Sequence, residues 1–191
     1  MAHNNIEVEI KIPLSKKEFV RIKNYLEKNS SFIKSSHHKD RYYTPKKGSF
    51  LDKKYPYEWL TMRERDGRVL FNYKHWYPEN TKYTTHCDEY ETEVKDSKSL
   101  AKMLIALNFK EFVTVEKKRL IFVYKGKFEI ALDEVKNLGY FIEVEALKEF
   151  GGPTKAHEEI LKFTKSLGLN QTKTVPGGYG AELMRKKGLM K

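Results

Sequence analysis

Pairs of like charges recur at alternate positions in five short segments of this sequence. The acidic pairs are Glu7/Glu9, Glu91/Glu93 and Glu143/Glu145, and the basic pairs are Arg63/Arg65 and Lys117/Arg119. On a strand, residues two apart share a face at a spacing of ~6.6 Å, where like charges repel each other, most strongly in a confined cavity. This sorting by sign predicts ligands of both signs. Carboxylate clusters prefer hard cations such as Mg2+ or Mn2+, and Arg and Lys clusters prefer phosphate oxygens.

A metal-bound polyphosphate would satisfy the acidic and the basic pairs at the same time. The alternative is that the pairs lie on solvated outer faces, with Glu of one strand beside Lys or Arg of the next. The outer face of a sheet usually mixes Thr, Ser, Lys and Glu without strict order. The alternative therefore explains any single pair more easily than all five together, and we favour the polyphosphate interpretation.

The charged pairs lie in segments whose hydropathy alternates with period two, which is typical of strands. In residues 6–12 the even positions are aliphatic and the odd positions are charged. The other strand candidates are residues 41–43, 60–65, 69–74, 89–94, 115–124, 128–135 and 141–145. Together these segments predict about eight strands.

Apolar residues at helical spacing predict three helices, over residues 15–28, 97–108 and 154–167. The first opens on Ser15 and Glu18, the spacing of a capping box. Residues 181–187 predict a short basic turn. The motif Glu-x-Glu-aliphatic-Lys occurs at residues 7–11 and again 84 residues later, each time before a Ser-initiated helix and further strands. We therefore predict an α+β fold: an eight-stranded antiparallel barrel with flanking helices, built from two pseudo-repeats.

Composition limits the function classes. The chain has 191 residues, which predicts a single domain over residues 1–191. Aromatic residues make up 13%, which argues against disorder, and no apolar run is long enough for a membrane helix or a signal peptide, so we predict a cytoplasmic protein with no membrane partner. A single cysteine, Cys87, excludes an intrachain disulfide. The net charge of +11 favours a polyanionic partner.

The ordered set of motifs resembles the CYTH superfamily, also called triphosphate tunnel metalloenzymes. The resemblance runs through the whole chain in the family's order. It rests on Glu7-x-Glu9-x-Lys11, Asp40-x-Tyr42-Tyr43, Arg63-x-Arg65, Lys74, Glu91-x-Glu93, Lys117-x-Arg119, Asp133, Glu143-x-Glu145, Lys173 and Gly178-Tyr179 with Glu182-Leu183. It implies an eight-stranded antiparallel barrel with a charged tunnel, formed from duplicated halves.

The resemblance also implies roles for these residues. Mg2+ or Mn2+ would be held by Glu7, Glu9, Glu143 and Glu145, assisted by Glu91, Glu93 and Asp133. The triphosphate would be bound by Lys11, Arg63, Arg65, Lys74, Lys117, Arg119 and Lys173. Glu9, Lys11 and Glu145 are expected to be the catalytic residues, because phosphoryl transfer depends mainly on positioning and charge stabilisation.

The resemblance implies a metal-dependent enzyme acting on triphosphates, and two reactions stay open. A class IV adenylate cyclase would convert ATP to cyclic AMP and pyrophosphate, and we favour this reaction. A triphosphatase would hydrolyse inorganic tripolyphosphate, thiamine triphosphate or a nucleoside triphosphate. A non-catalytic barrel that binds nucleic acid or polyphosphate is a third alternative, which the three acidic pairs oppose. A homodimer is compatible with the sequence. Tyr57 and Trp59 are candidates for an adenine platform, although both could equally be core residues.

Overall fold

The computed structural model describes residues 6–81, 83–170, 174–175 and 178–188. The strands are β1 (Ile6–Glu7), β2 (Glu9–Leu14), β3 (Ser31–Pro45), β4 (Glu58–Arg65), β5 (Arg68–Tyr77), β6 (His86–Glu93), β7 (Phe109–Tyr124), β8 (Phe128–Val135) and β9 (Gly139–Ala146). The helices are α1 (Lys16–Asn29), α2 (Ser97–Ala106), α3 (Pro153–Ser166) and α4 (Gly178–Lys186), and residues Phe50–Asp52 form a 3-10 turn. None of the helices in these ranges is long and apolar enough to cross a membrane.

All strands belong to one antiparallel sheet in the order β1-β6-β5-β4-β3-β7-β8-β9-β2. The first and last members of this order, β1 and β2, are separated in the chain by Val8 alone. One N-terminal strand therefore pairs with β6 through β1 and with β9 through β2, which closes the sheet. Counted with β1 and β2 as one strand, the barrel has the eight antiparallel strands that the alternation predicts.

The two halves of the chain repeat the same element order, a strand, a helix and three strands. The first half runs from β1/β2 through α1 to β5, and the second runs from β6 through α2 to β9. Equivalent strands meet, since β3 pairs with β7 and β1 pairs with β6. The repeated sequence motif is only partly matched in the structure. Residues 7–11 lie in β1 and β2 except for Val8, which separates the two strands, whereas β6 ends at Glu93 and leaves the rest of its motif outside the strand.

The aliphatic faces of the strands point outward, towards helices. Ile12 and Ile142 pack in one buried cluster with Ile22 of α1 and Ile160 of α3. A second cluster joins Met62 and neighbouring apolar residues to Leu104 of α2. Successive residues of a strand face opposite sides of the sheet. Because the helices cover the aliphatic face, the charged side chains point into the barrel interior. The hydrophobic core therefore lies between barrel and helices, and the barrel interior is polar.

The predicted helix positions agree with the observed ones. The Ser15 hydroxyl accepts from the backbone N–H of Glu18, and the Glu18 carboxylate accepts from the backbone N–H of Ser15, which completes the capping box. The helix α2 begins at Ser97 behind an Asp96 cap, and α3 begins at Pro153. Each is within one or two residues of its predicted start.

The prediction of a short turn over residues 181–187 is wrong, because α4 is a nine-residue helix that begins at Gly178. Its apolar side packs with Tyr42, Trp59 and Phe141 across one end of the barrel. The close approach requires a glycine, since a Cβ added at Gly180 would lie 2.8 Å from Cε1 of Tyr42. Gly180 thus sets how deeply α4 sits in the barrel end.

Gly180→Ala tests this contact. In an ordinary helix interior this change stabilises by roughly 1 kcal/mol. Here we expect a loss of about 1–3 kcal/mol in the free energy of unfolding, because the new methyl group overpacks against Tyr42. Urea unfolding of the variant in the wild-type and Tyr42→Ala backgrounds measures the effect. The penalty should disappear when the Tyr42 ring is absent, and an equal penalty in both backgrounds would contradict the assignment.

Candidate functional site

The barrel encloses a cavity of about 190 Å3, which we call the tunnel. Charged side chains from all nine described strands line it. Its carboxylates are those of Glu7, Glu9, Asp40, Glu89, Glu91, Glu129, Glu143 and Glu145, and its basic groups are those of Lys11, Arg63, Arg65, Lys74, Lys117 and Arg119. The strand register brings the groups together: Glu9 pairs with Glu145 across β2 and β9, and Lys11 pairs with Glu143.

Lysines and glutamates neutralise each other on one side of the tunnel. Lys11 Nζ lies 2.8 Å from a carboxylate oxygen of Glu143 and 3.2 Å from one of Glu9. Lys74 Nζ donates to Glu7 and lies 3.6 Å from Glu89. Burial alone would lower the pKa of Lys11, but Glu143 and Glu9 raise it above its ordinary value, so this lysine stays charged.

Arg119 is fixed by a bidentate ion pair. Its Nε and one terminal nitrogen donate to the two oxygens of Asp133, at 2.7 and 2.6 Å, and the same terminal nitrogen donates to Glu143 at 2.9 Å. Tyr179 of α4 also donates its hydroxyl proton to Asp133, at 2.7 Å. Asp133 is fully buried. Its oxygens are thus engaged by Arg119 and Tyr179, which favours a positioning role for this carboxylate.

Five buried polar atoms around the tunnel have no hydrogen-bond partner among the described residues. They are Nε of Arg63, Nε of Arg65, Oδ1 of Asp40, Oγ1 of Thr61 and Nε1 of Trp59. The ion pairs within the described ranges also include none for Arg65, whereas Arg63 lies 3.5 Å from both Glu89 and Glu91. Buried polar groups are normally paired, so the four of these atoms that can donate, on Arg63, Arg65, Thr61 and Trp59, favour an anionic ligand, whereas Oδ1 of Asp40 can only accept.

The charged side chains divide the tunnel into two sides. Burial and then Arg119 lower the pKa of Lys117 to about 8, while burial and Arg63 lower the pKa of Arg65. Burial and Lys117 lower the pKa of His38 to about 3; His38 of β3 is paired in register with Lys117 of β7. The lining on the side of β3, β4 and β7 holds four basic groups, Arg63, Arg65, Lys117 and Arg119, and one carboxylate, Asp40, so this side has a surplus of positive charge.

The opposite side, formed by β1, β2 and β9, has surplus negative potential. Burial raises the pKa of Glu145 to about 9, with further contributions from Glu7, Glu9 and Glu143. Burial and Glu143 also raise the pKa of Glu9. An anion bound on the side of β3, β4 and β7 and a cation bound on the side of β1, β2 and β9 would neutralise the surplus charge of each side.

The structure brings eleven of the predicted site residues into the tunnel lining. They are Glu7, Glu9, Lys11, Arg63, Arg65, Lys74, Glu91, Lys117, Arg119, Glu143 and Glu145. Asp133 lies directly behind Arg119. Glu93 is exposed at the end of β6 and does not line the tunnel. Lys173 lies outside the described residues. The roles predicted for these residues stay predictions.

Several lining residues were absent from the predicted site. Glu89 shares a face with Glu91, so alternation alone could have identified it. Asp40 and Tyr179 belong to the family motifs alone, and Glu129 has no second acidic residue two positions away to mark it. Trp59 is only 5% exposed and packs edge-on against Tyr42, so it is a core residue that also borders the tunnel.

The carboxylates of β1, β2 and β9 suit a divalent cation in charge and donor type, as the raised pKa of Glu145 indicates. Among the described residues, however, no three acidic, His or Cys side chains converge as metal ligands would. Glu7 and Glu143 face lysine and arginine nitrogens. Metal binding at these residues would therefore require the basic groups to find another partner.

Comparison with known proteins finds relatives and solved structures that match most of this chain. The family profile described as "CYTH domain" matches residues 5–179. The chain is 28% identical over 175 residues to a Methanocaldococcus jannaschii protein provisionally named an adenylate cyclase, covering 91% of this chain and 96% of that one. A solved Pyrococcus horikoshii structure is 28% identical with a TM-score of 0.76, covering 94% of this chain and 99% of that one. A Hippeastrum protein, provisionally named an adenylyl cyclase and described as having a dominant triphosphatase activity, shares the fold at 14% identity and a TM-score of 0.62, covering 97% of both chains.

Glu145→Gln tests the negative side of the tunnel. Because the pKa of Glu145 is near 9 in the folded chain and near 4.5 when unfolded, the folded state holds the extra proton between these values. Its stabilising effect is therefore present below pH 4.5 and is lost as the pH rises towards 9. Relative to wild type, the variant should gain about 2 kcal/mol by pH 8 and little at pH 5. Thermal unfolding across this range measures the difference.

The exposed Glu93→Gln is the matched control and should follow the wild-type curve at every pH. A constant offset between Glu145→Gln and wild type from pH 5 to pH 8 would contradict the burial argument for Glu145.

Proposed function

The chain belongs to the CYTH domain family, and we propose that it is a metal-dependent enzyme that acts on triphosphate compounds inside the tunnel. The observation that carries this proposal is the division of the tunnel into a side with surplus positive potential and a side with surplus negative potential. A metal-bound triphosphate has the complementary charges. The lining of the first side holds four basic groups and one carboxylate, and that of the second holds four carboxylates and one lysine.

The phosphate chain would lie against the positive side. Arg65 and Arg63 of β4 offer unpaired Nε donors there, and Lys117 lies on β7, with β3 between these two strands. Arginine suits this task because its planar group matches phosphate oxygens with two parallel donors. Asp133 and Tyr179 would keep the Arg119 guanidinium in one orientation before the ligand arrives. Such preorganisation lowers the cost of stabilising charge during phosphoryl transfer.

The divalent metal, Mg2+ or Mn2+, would be held by Glu7, Glu9, Glu143 and Glu145, with Glu91 assisting. When bound, it supplies charge neutralisation at the phosphate oxygens. The ligand would also drive an exchange of partners: Lys11 and Lys74 would turn from the glutamates to the phosphates, which frees the carboxylates for the metal. The present pairs Lys11–Glu143 and Lys74–Glu7 are the starting point of this exchange.

The favoured reaction is cyclisation of ATP. The ribose 3′-oxygen would bond to the α-phosphorus while the bond from that phosphorus to pyrophosphate breaks, giving cyclic AMP. Glu9 or Glu145 would accept the hydroxyl proton, and Lys11 would balance charge on the departing pyrophosphate. The name of the Methanocaldococcus jannaschii relative supports this choice.

Hydrolysis of a triphosphate is the second candidate, with water as the nucleophile at the terminal phosphorus. Two observations favour it: the tunnel is small, about 190 Å3, and the Hippeastrum protein is described as a triphosphatase. The third alternative, a barrel that binds nucleic acid, is the least supported. Its basic groups would have to face a polyanion, whereas here they are enclosed with eight carboxylates.

Product analysis distinguishes the reactions. Purified protein is incubated with ATP or with tripolyphosphate, in Mg2+ or Mn2+ and in EDTA, and products are separated by anion-exchange chromatography. Cyclic AMP with an equal amount of pyrophosphate supports the cyclase, and orthophosphate without cyclic AMP supports the triphosphatase. Absence of metal-dependent turnover with either substrate would contradict the enzyme proposal.

Glu9→Gln should lower kcat by at least about 100-fold with little change in thermal stability, because it removes one negative charge from the proposed metal and proton site while keeping the side-chain shape. Steady-state rates with the better substrate measure the loss. Glu93→Gln, the same change outside the tunnel, should keep the wild-type rate. Equal rates for wild type and Glu9→Gln would exclude the assigned role.

Arg65→Ala should weaken tripolyphosphate binding by roughly 30-fold, since it removes a buried charged donor to phosphate. Stability without ligand should stay unchanged or rise, because Arg63 and Arg119 lose a repelling neighbour. Calorimetry and thermal unfolding measure the two effects. Arg68→Ala, an exposed arginine at the start of β5, is the control. A loss of stability without a loss of affinity would make Arg65 a structural residue.

A further inference from the structure

A buried histidine of β3, His38, has no role in the proposed function. It precedes Asp40 and Tyr42, which line the tunnel, by two and four positions, and residues at this spacing on a strand share a face. The strand register pairs it with Arg65 of β4 and with Lys117 of β7, both of which line the tunnel. The imidazole of His38, which is 2% exposed, therefore lies on the tunnel side of β3, between two basic groups.

The two ring nitrogens of His38 differ in their surroundings. Nε2 lies 2.8 Å from the hydroxyl oxygen of Ser36. Nδ1 is buried and has no hydrogen-bond partner among the described residues. A neutral imidazole carries one proton, so when the Ser36 hydroxyl donates to Nε2, the ring proton lies on Nδ1. Nδ1 is then a buried donor without an acceptor, which is costly unless a ligand supplies one.

The charged groups around the imidazole favour an anionic acceptor. The basic neighbours of His38 are Lys117, Arg65 and Arg119, and its acidic neighbour inside the barrel is Asp40. The unpartnered oxygen of Asp40 forms no hydrogen bond with Nδ1, and Nε of the paired Arg65 is also without a partner. Two neighbouring strands thus present unpartnered buried nitrogens at the same register position, within a surplus of positive charge.

On the basis of the proposed function, we propose that Nδ1 of His38 donates a hydrogen bond to a phosphoryl oxygen of the triphosphate, beside the guanidinium of Arg65. Burial and the basic neighbours lower the pKa of the free imidazole to about 3, so the ring meets the ligand as a neutral donor. Such a donor contributes a hydrogen bond to the phosphate without adding another charge that would repel Arg65 and Lys117. Ser36 is a positioning residue, because its bond to Nε2 determines which ring nitrogen carries the proton.

His38→Asn and His38→Gln separate the two ring nitrogens. The amide nitrogen of Asn is as many bonds from Cβ as Nδ1 is, and that of Gln is as many bonds from Cβ as Nε2 is. Binding of tripolyphosphate is measured by calorimetry on the full chain in EDTA at pH 8. We expect His38→Asn to bind within about threefold of wild type and His38→Gln to bind about tenfold more weakly, because only Asn keeps a donor at the Nδ1 position. Thermal unfolding without ligand should rank the variants in the opposite order, since only Gln keeps the contact with Ser36.

His37→Asn is the matched control, the same change at the exposed neighbour on the other face of β3, and it should alter neither measurement. Wild-type affinity in His38→Gln would overturn the proposal. Parallel losses of affinity and stability in both variants would also overturn it, because His38 would then be a structural residue. In both cases binding by the wild-type chain would leave the proposed function standing. If the wild-type chain binds no tripolyphosphate, the proposed function and this inference fail together.

Long-range 1H–15N NMR of the wild-type histidines gives a result that does not depend on the stability of a variant. The signals of His38 are assigned by their absence from the spectrum of His38→Gln. On addition of tripolyphosphate, the Nδ1 signal should shift and show a bound proton, whereas Nε2 should carry none. An unprotonated Nδ1 in the complex, or signals that tripolyphosphate does not change, would overturn the proposal.

Discussion

The structure depends on opposite charges that neutralise each other inside a closed sheet. Burying charges is costly unless each has a close partner. The tunnel meets this requirement with pairs that span strands, such as Lys11 with Glu143 and Arg119 with Asp133. The neutralisation is incomplete at Arg65, which lacks a partner among the described residues, and at Glu145, whose pKa is raised. We therefore expect an anionic group of the ligand beside Arg65 and a bound cation beside Glu145.

The helices on the outside of the barrel determine which face of each strand points inward. Isolated strands of alternating character could present either face to solvent. Because α1, α3 and α2 cover the aliphatic faces, the charged faces have no alternative to the barrel interior. The fourth helix seals one end and contributes the Tyr179 hydroxyl that holds Asp133. The same packing that stabilises the fold therefore concentrates the charges.

Much of the site could be predicted from sequence because period-two alternation specifies which residues share a face. Eleven predicted residues do line the tunnel. Alternation does not reveal where a strand leaves the barrel rim, so Glu93 was included although it is exposed. It also gives no signal for isolated residues such as Glu129. The helix α4 was underestimated because Gly178 and Gly180 are poor helix formers, and the docking that Gly180 permits depends on tertiary contact with Tyr42. That the polar face lies inside came from the family resemblance, since alternation alone is compatible with either direction.

The exchange of partners between lysines, carboxylates and ligand is the central claim, and a crystal structure with Mn2+ and tripolyphosphate tests it most directly. The account predicts an anomalous manganese peak beside Glu9 and Glu145, phosphates against Arg63 and Arg65, and Lys11 turned from Glu143 towards the phosphate chain. A tunnel that keeps the Lys11–Glu143 pair intact, with the anion bound to lysines on the outer surface, would contradict it.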